Sequence, residues 1–410
     1  MKITREVPSS FYDITPLEDI DVVRDIIRDV RAQGDAAVRA YTTKFDKIEP
    51  TTLEITDEDK QRAYEAVDDK VIEAIRSAHE HIKEFAEIQM ASLKDFELTT
   101  QWSILGQKII PVEVVGCYVP GGRYPLPSSA LMSITPARVA GVDKIVVCSP
   151  KIRDETIIAA DIAGADRIFS MGGVQAIAAM AYGTESVPRV HMIVGPGNKY
   201  VTAAKRMVYG DVGIDFLAGP SEVLIIADST GDPGLIAADM ISQAEHDPMA
   251  QAHLITTDED IANEVVHEVE EQLKVLPTRE IAEQSLEHSH IMIVNDLQEA
   301  YEIANKKAPE HLELQVEDEQ QASSVLKHYG SLFLGKNSAE SFGDYASGTN
   351  HILPTGGCAR FTGGLSVFSF LKIQTYQKIT SPDFIADIVA ELAKAEGLES
   401  HRQAALRRKK

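Results

Sequence analysis

The sequence predicts an α/β protein of two doubly wound parallel-sheet units with small helical segments at its ends. Three observations lead there. From Ile109 onward, short β-branched runs alternate with alanine-rich helical segments, the alternation expected of βαβ units. The runs are apolar throughout rather than at every second residue, as strands covered on both faces must be. The same texture then resumes farther along the chain, which divides it into units at roughly 108–220 and 221–362.

The first hundred residues read as helical. Val22, Val23, Ile26, Ile27 and Val30 follow helical spacing. Gly34-Asp35 opens a short helix over 36–41, and 58–90 form one long amphipathic stretch carrying Ala66, Val71, Ile72, Ile75, Ala78, Ile82 and Phe85. Strands are expected at 112–115, 144–148, 167–169, 190–194 and 223–226, with helices at 129–140, 156–163, 175–182 and 200–207. Further strands fall at 252–256, 290–294 and 331–334. The N-terminal helices are expected to pack on the second unit, so the organisation reads as a 1–20 segment, a 21–107 plus 221–362 domain, a 108–220 domain and a 363–410 tail. In the tail, Ser381-Pro382-Asp383 supplies a cap, a first-turn proline and an acid. Phe384, Ile385, Ile388, Val389 and Leu392 form one apolar stripe, and Gly397 is a stop. A one-faced helix must bury that stripe against its own body or a partner chain.

Composition excludes several function classes. The 410 residues carry a formal net charge of −23, which repels nucleic acid and anionic membranes. The cysteines are Cys117, Cys148 and Cys358, far apart and without a CxxC pair, so neither a disulfide framework nor a thiolate zinc site is indicated. No apolar run approaches the roughly 20 residues of a membrane helix. Residues 1–6 lack the apolar core of a signal peptide, and a cytoplasmic location is expected.

Several segments could carry chemistry. Three glycine-rich loops follow strands of the first unit: residues 118–122 (Tyr118 to Gly122), 171–175 (Met171 to Gln175) and 195–198 (Gly195 to Asn198). Such loops sit where parallel sheets bind ligands, and glycine lets backbone approach a phosphate. None matches G-x-G-x-x-G, so the standard dinucleotide fingerprint is absent; any single loop is as readily a tight turn, but three on one sheet edge favour a nucleotide. In the second unit, Gln243 and His246 stand three apart at the end of a predicted helix, on one face. Glu310-His311 is a plausible acid–base pair, and the polar loop 344–351 supplies Asp344 and His351. His401 is read as lying just beyond the final helix. Taken singly, each of these is more often ordinary polarity.

Together the segments resemble histidinol dehydrogenase. The marks, in order, are Gly34-Asp35-Ala36-Ala37-Val38, Tyr118-Val119-Pro120-Gly121-Gly122, Gly195-Pro196-Gly197-Asn198, Ala218-Gly219-Pro220-Ser221-Glu222, the 242–248 segment, Pro309-Glu310-His311-Leu312, Gly343-Asp344-Tyr345, Thr349-Asn350-His351, Ala359-Arg360-Phe361 and Ala395-Glu396-Gly397-Leu398. The resemblance runs from about Val22 to Ala404. It implies two related, incomplete Rossmann-like domains in an intertwined homodimer whose active sites are completed by the partner chain. It also implies one zinc ion per chain, held by Gln243, His246, Asp344 and, from the partner, His401. Glu310 and His311 would be the catalytic pair. Ser221, Gln243, His246, His311, Asp344, His351, Glu396 and His401 would meet the substrate, and Tyr118, Gln175 and Asn198 would meet NAD. The implied reaction is two successive oxidations of histidinol through the aldehyde to histidine, the last step of histidine biosynthesis. The 21–107 plus 221–362 domain would then be the zinc and catalytic domain, 108–220 the NAD-binding domain, and the tail a dimerisation segment.

A mixed nitrogen and oxygen donor set without thiolate suits a substrate-binding zinc rather than a closed structural one. Zinc has no redox chemistry, so the hydride must go to a nicotinamide. Val174, residues 123–126, residues 362–365 and residues 375–377 look more like a sister branch that oxidises a sulfonated propanediol. Ser221 and Asp344-Tyr345 fit the histidinol branch. A third reading, a non-catalytic nucleotide-binding protein on the same fold, conflicts with the intact Glu310-His311 pair and ligand set.

Overall fold

The computed structural model describes residues 2–13, 20–47, 52–121 and 125–409. Gly122, Arg123 and Tyr124, singled out above, lie outside the described residues.

Two parallel sheets form the body. The five-stranded sheet runs Arg167–Ser170, Lys144–Ser149, Val114–Tyr118, Met192–Val194, Gly213–Ile214 across its width. Numbered along the chain, that is order 3-2-1-4-5, the doubly wound arrangement. The six-stranded sheet repeats it with His290–Ile293, Gln251–Thr256, Glu222–Ala227, His311–Gln315 and Ser331–Leu334, and adds Lys2–Thr4 outside His290–Ile293. Every pairing in both sheets is parallel. The expected α/β fold of two doubly wound units is therefore present.

The N-terminal helices, however, cover the first unit and not the second. Asp69–Ala91 lies on Pro127–Val139, Asp57–Ala66 on Asp154–Ile162, and Asp21–Gln33 on Gly173–Tyr182. The physical reason is visible in the helices beneath. All of 128–137 and all of 174–181 are buried, so these helices are apolar all round and require a further layer. One cluster of Ile75, Ala78 and Ile82 closes over Val115, Val147 and Ile134. Another, of Val23, Ile26 and Val30, closes the opposite face over Val146, Phe169 and Ile177. The second unit's helices are amphipathic and need no such cover; Val265 and Val269 face the sheet while their neighbours stay exposed.

Local readings are corrected at several places. The 58–90 stretch is two helices, because Val67 is extended and Asp68 caps the second one through the Lys70 N–H. The helix after Gly34 reaches Asp46. Ser103–Pro111 and Leu371–Ile379 pair antiparallel and, with Phe96–Thr99, form a third sheet. Phe96–Thr99 and Leu371–Ile379 are mostly exposed and Ser103–Pro111 mostly half-buried, so the apolar pattern that marks a buried strand is missing. Gly397, at φ 76°, does stop the tail helix, but Glu399–Leu406 follows as another helix and carries His401.

Candidate active site between the two units

The second unit builds its polar centre at the amino edge of its sheet. Ala308 takes a left-handed conformation (φ 55°) and ends the helix Leu297–Lys307. The chain then enters His311–Gln315, in register beside Glu222–Ala227 with His311 opposite Val223. Glu310 and Glu222 thereby meet at the strand starts. The Glu222 N–H donates to Glu310 Oε2 at 2.9 Å. Glu222 is itself buried and paired with Lys307 at 2.8 Å.

His311 is 4% exposed, and its Nδ1 lies 3.2 Å from the Glu222 carbonyl oxygen. A carbonyl can only accept, so Nδ1 carries the proton and Nε2 presents its lone pair. That Nε2 is buried without a partner and faces Asp344 Oδ1 at 3.8 Å. Asp344 is on the short helix Glu340–Tyr345, not in the loop the sequence suggested. Glu340, four residues earlier on the same face, sets Oε1 3.7 Å from His311 Nδ1. Gln243, completely buried in Pro233–Ala244, has its carboxamide between Glu340 and the Glu222 N–H; the orientation that satisfies both ends places its oxygen 3.1 Å from the Glu222 nitrogen and its N–H toward Glu340.

Burial dominates the electrostatics. It pushes His311 down to about 4, against the opposing pull of Asp344. Burial raises Glu310 well above the usual carboxyl range, with Glu222 and Asp344 adding to the effect and the Glu222 N–H opposing it. Glu340 is raised by burial and by Asp344 and Glu310. Burial thus favours the uncharged form of both side chains in this cluster, His311 and Glu310 alike.

His311, Glu340 and Asp344 offer donor atoms within 4.8 Å of one another. Asp344 and Gln243, with His246 nearby, are oxygen and nitrogen donors of the kind zinc accepts, and the orphaned His311 Nε2 is the polar atom a bound substrate would satisfy. His246 lies two residues past the helix end, exposed, in a turn closed by its N–H to the Gln243 carbonyl at 3.3 Å. It is close enough to depress both His311 and His351. His351 Nδ1 bonds the Asp344 carbonyl at 2.7 Å and its Nε2 meets Ser129 Oγ at 3.3 Å. Ser221 hydrogen-bonds Glu310. His401 and Glu396 are exposed on the tail, which among the described residues puts neither into this cluster.

The first unit offers its carboxyl edge. The Gly173 N–H donates to the Tyr118 hydroxyl at 3.0 Å. Gly195, at φ 111°, brings its backbone so close that a Cβ would stand 2.1 Å from the Tyr118 carbonyl oxygen. Gln175 is 1% exposed and its Oε1 has no partner. Asn198 caps the next helix through the Tyr200 and Val201 N–H groups. A cavity of about 350 Å³ opens alongside, lined by Gly121, Ser149, Lys151, Arg153, Thr156 and Ser170. A glycine cradle, an orphaned amide oxygen and a cavity of mixed polar and apolar lining at strand ends suit a dinucleotide. The two edges face each other: beyond His351–Ser129, Asn350 donates to the Met132 carbonyl at 2.7 Å and the Gly219 N–H to Thr355 at 2.6 Å.

Residues 15–409 match the family model described as histidinol dehydrogenase. The chain belongs to the histidinol dehydrogenase family. It is 48% identical to the histidinol dehydrogenase of Methanocaldococcus jannaschii, covering 100% of this chain and 96% of that one. It is 47% identical to that of Aquifex aeolicus over 92% and 90% of the two chains. The crystal structure of histidinol dehydrogenase from Elizabethkingia anophelis superposes with a TM-score of 0.94 at 38% identity, covering 99% of this chain and 97% of that one.

Glu340 and the ion-paired Glu222 were not singled out from the sequence. The i,i+4 spacing of Glu340 to Asp344 was available, but Gly343 and the serine-rich surroundings disguise the helix. Among the described residues, no helix is long and apolar enough to cross a membrane.

Proposed function

We propose that this chain is a zinc- and NAD-dependent dehydrogenase that oxidises histidinol to histidine. The observation that carries the reading is the buried, unpartnered His311 Nε2 facing Asp344, with Glu310 alongside. Alcohol to carboxylate is a four-electron oxidation and each nicotinamide takes two electrons, so two NAD are consumed per substrate. His311 takes the alcohol proton at Nε2 as hydride leaves for the nicotinamide, giving aldehyde and NADH. Glu310 removes a proton from the water that hydrates the aldehyde. His311 returns its proton to the aldehyde oxygen as the hydrate forms; the hydrate then passes its hydride to the second NAD and a hydroxyl proton to His311, and the carboxylic acid left behind ionises to the carboxylate.

Gln243, His246 and Asp344 of one chain, with His401 of a second copy, would hold zinc. Bound zinc supplies positive charge that orients the substrate's nitrogens and lowers the pKa of neighbouring acids. Ser221, His351 and the second copy's Glu396 would line the substrate. Tyr118, Gln175 and Asn198 would hold NAD on the 108–220 unit, while the 221–362 unit carries the chemistry.

A second copy is supported by what one chain leaves open. His401 and Glu396 stand apart from the cluster, and the tail exposes Phe384, Ile388 and Leu392 at about 60% each, with Ile373 of the third sheet equally bare. That apolar area needs cover. Mixing inactive His401→Ala and His311→Ala chains under conditions of exchange should restore activity, because each hybrid holds one intact site. No recovery despite exchange would place the whole site within one chain.

The substrate is tested by rate. Histidinol carries an imidazole and an amine, both able to reach zinc, and Glu396 would repel a sulfonate. The kcat/KM should favour histidinol over sulfonated propanediol. The reverse preference would overturn the substrate and leave the zinc, NAD and acid–base assignments standing.

A further inference from the structure

We propose that Lys205 and Asp215, a buried ion pair, are positioning residues that hold the Gly195–Asn198 loop in the shape that receives NAD. The proposal rests on the NAD reading of the 108–220 unit. The loop has a demanding place. In the strand order 3-2-1-4-5 the order reverses between Val114–Tyr118 and Met192–Val194. The crevice at such a reversal is where doubly wound sheets take their ligands. Gly195 is the first residue after Met192–Val194, and a Cβ on it would stand 2.1 Å from the Tyr118 carbonyl oxygen across that crevice. Its φ of 111° is one that residues with a side chain rarely adopt. Glycine also has the most backbone freedom of any residue, so nothing in Gly195 itself keeps the loop in this shape.

Two side chains do. Lys205 lies in the helix Lys199–Val208 that follows the loop, and Asp215 directly follows the next strand, Gly213–Ile214. They form an ion pair whose side chains are 3% and 1% exposed. Asp215 Oδ2 accepts the Gly195 N–H at 2.7 Å, and Lys205 Nζ donates to the Gly195 carbonyl oxygen at 2.9 Å. Those two groups belong to the peptide units before and after Gly195, so the pair fixes both of its torsions at once. Replacing a buried ion pair by apolar residues of similar size is often neutral for stability, so packing alone does not call for one here. A pair that is also bonded to both sides of one glycine sets direction as well as distance. Asn198, three residues beyond Gly195, caps the helix that carries Lys205. The pair therefore joins Gly195 to the element that presents a proposed NAD contact.

The test is the dissociation constant for NADH, read by its fluorescence on titration of the full-length, zinc-loaded protein. Steady-state kinetics with NAD and histidinol varied in turn accompany it. Lys205→Met frees the Gly195 carbonyl and should weaken NADH by about 10–100-fold, the scale of a lost hydrogen bond to a charged group. The KM for NAD should rise in parallel, while kcat at saturating NAD falls by less than about threefold, as for lost ground-state binding. The KM for histidinol and the zinc content should stay at the parent's values, a split that general loosening of the fold would not produce. Lys205→Met alone leaves Asp215 an unpaired buried charge. Adding Asp215→Asn removes that charge and keeps an acceptor for the Gly195 N–H, so the double variant serves if the single one does not fold. Its NADH affinity should fall by about tenfold. In a Gly195→Ala background, where the loop is already displaced, Lys205→Met should cost little more, because coupled residues are non-additive. Unchanged NADH affinity in the folded single or double variant overturns the proposal. So does a loss of zinc or of histidinol affinity in step with that of NADH, and so does a fully additive loss in the Gly195→Ala background. A parent chain that binds no NADH would instead remove the NAD reading on which the proposal rests.

Discussion

The two α/β units share one strand order and use opposite edges. In the five-stranded sheet the candidate cofactor groups collect at the carboxyl ends of the strands. In the six-stranded sheet Ser221, Glu222, Glu310 and His311 collect at the amino ends. The helix starts account for the difference. In the first unit the helices beginning at Pro127, Asp154 and Gly173 have no side-chain cap, the residues before them being Leu126, Arg153 and Gly172, and the helix beginning at Lys199 is capped by the neutral Asn198. In the second unit the helices after the first four strands are capped by Asp232, Asp258, Asp296 and Asp318. Open N–H groups at a helix start favour an anion, whereas a capping aspartate fills the donors and repels one. The two units share a topology, and what differs between them is the charge of the residue at the helix start.

The strongest attempt to break this comparison is aimed at the amino edge. His311→Asn should lower kcat by roughly 10²–10⁴, the range for positioned acid–base catalysis, with zinc retained. A loss of only a few fold would move the chemistry elsewhere. His246→Ala should lower zinc content and activity together while the protein stays folded, because apolar strands rather than metal supply the core. Unchanged zinc would remove His246 from the ligand set.

The carboxyl edge of the first unit is challenged next. Gly195→Ala must shift backbone away from Tyr118 and adopt an unfavourable φ, costing about 1–3 kcal/mol and raising the KM for NAD. Gln175→Ala should raise that KM about fivefold, as for one lost hydrogen bond, with zinc unaffected. A normal KM in both variants would mean that NAD binds somewhere else.

A pH experiment sharpens the picture of the interior behind the site. Asp239 and Glu313 share a hydrogen bond, and burial raises both above the ordinary carboxyl range. A raised carboxyl binds more protons folded than unfolded, so its contribution is complete at low pH and is lost as pH rises from about 4.5 through the folded value. Glu313→Gln in the metal-free protein should flatten that loss, measured as melting temperature against pH. The smallest effect belongs to the unused edge. Asp258→Ala should cost about 1 kcal/mol through its lost cap and leave kcat and the KM for NAD unchanged.

Much of this was legible in the sequence. Fully apolar runs announced the parallel strands, and Glu310-His311, Gln243 and Asp344, each weak alone, were singled out together through the family resemblance and lie near one another in the structure. The N-terminal helices were placed on the wrong unit, since an amphipathic helix shows that it has a buried face but not what covers it. The clue lay in their partners: the Gln175–Tyr182 region is apolar on every side and advertises a missing layer. The exposed strand Leu371–Ile379 gave no buried pattern to detect. Glu340 was missed because it joins His311 and Asp344 only once the Glu340–Tyr345 helix packs beside the start of the His311–Gln315 strand.

The most direct test of the account counts NADH released per histidinol by the zinc-loaded protein, with and without Glu310. The parent chain should yield two NADH and histidine. Glu310→Gln, with His311 intact and the water no longer activated, should stall near one NADH and accumulate the aldehyde. A parent that stops at one NADH, or a Glu310→Gln variant slowed only in oxidising the alcohol, would contradict it.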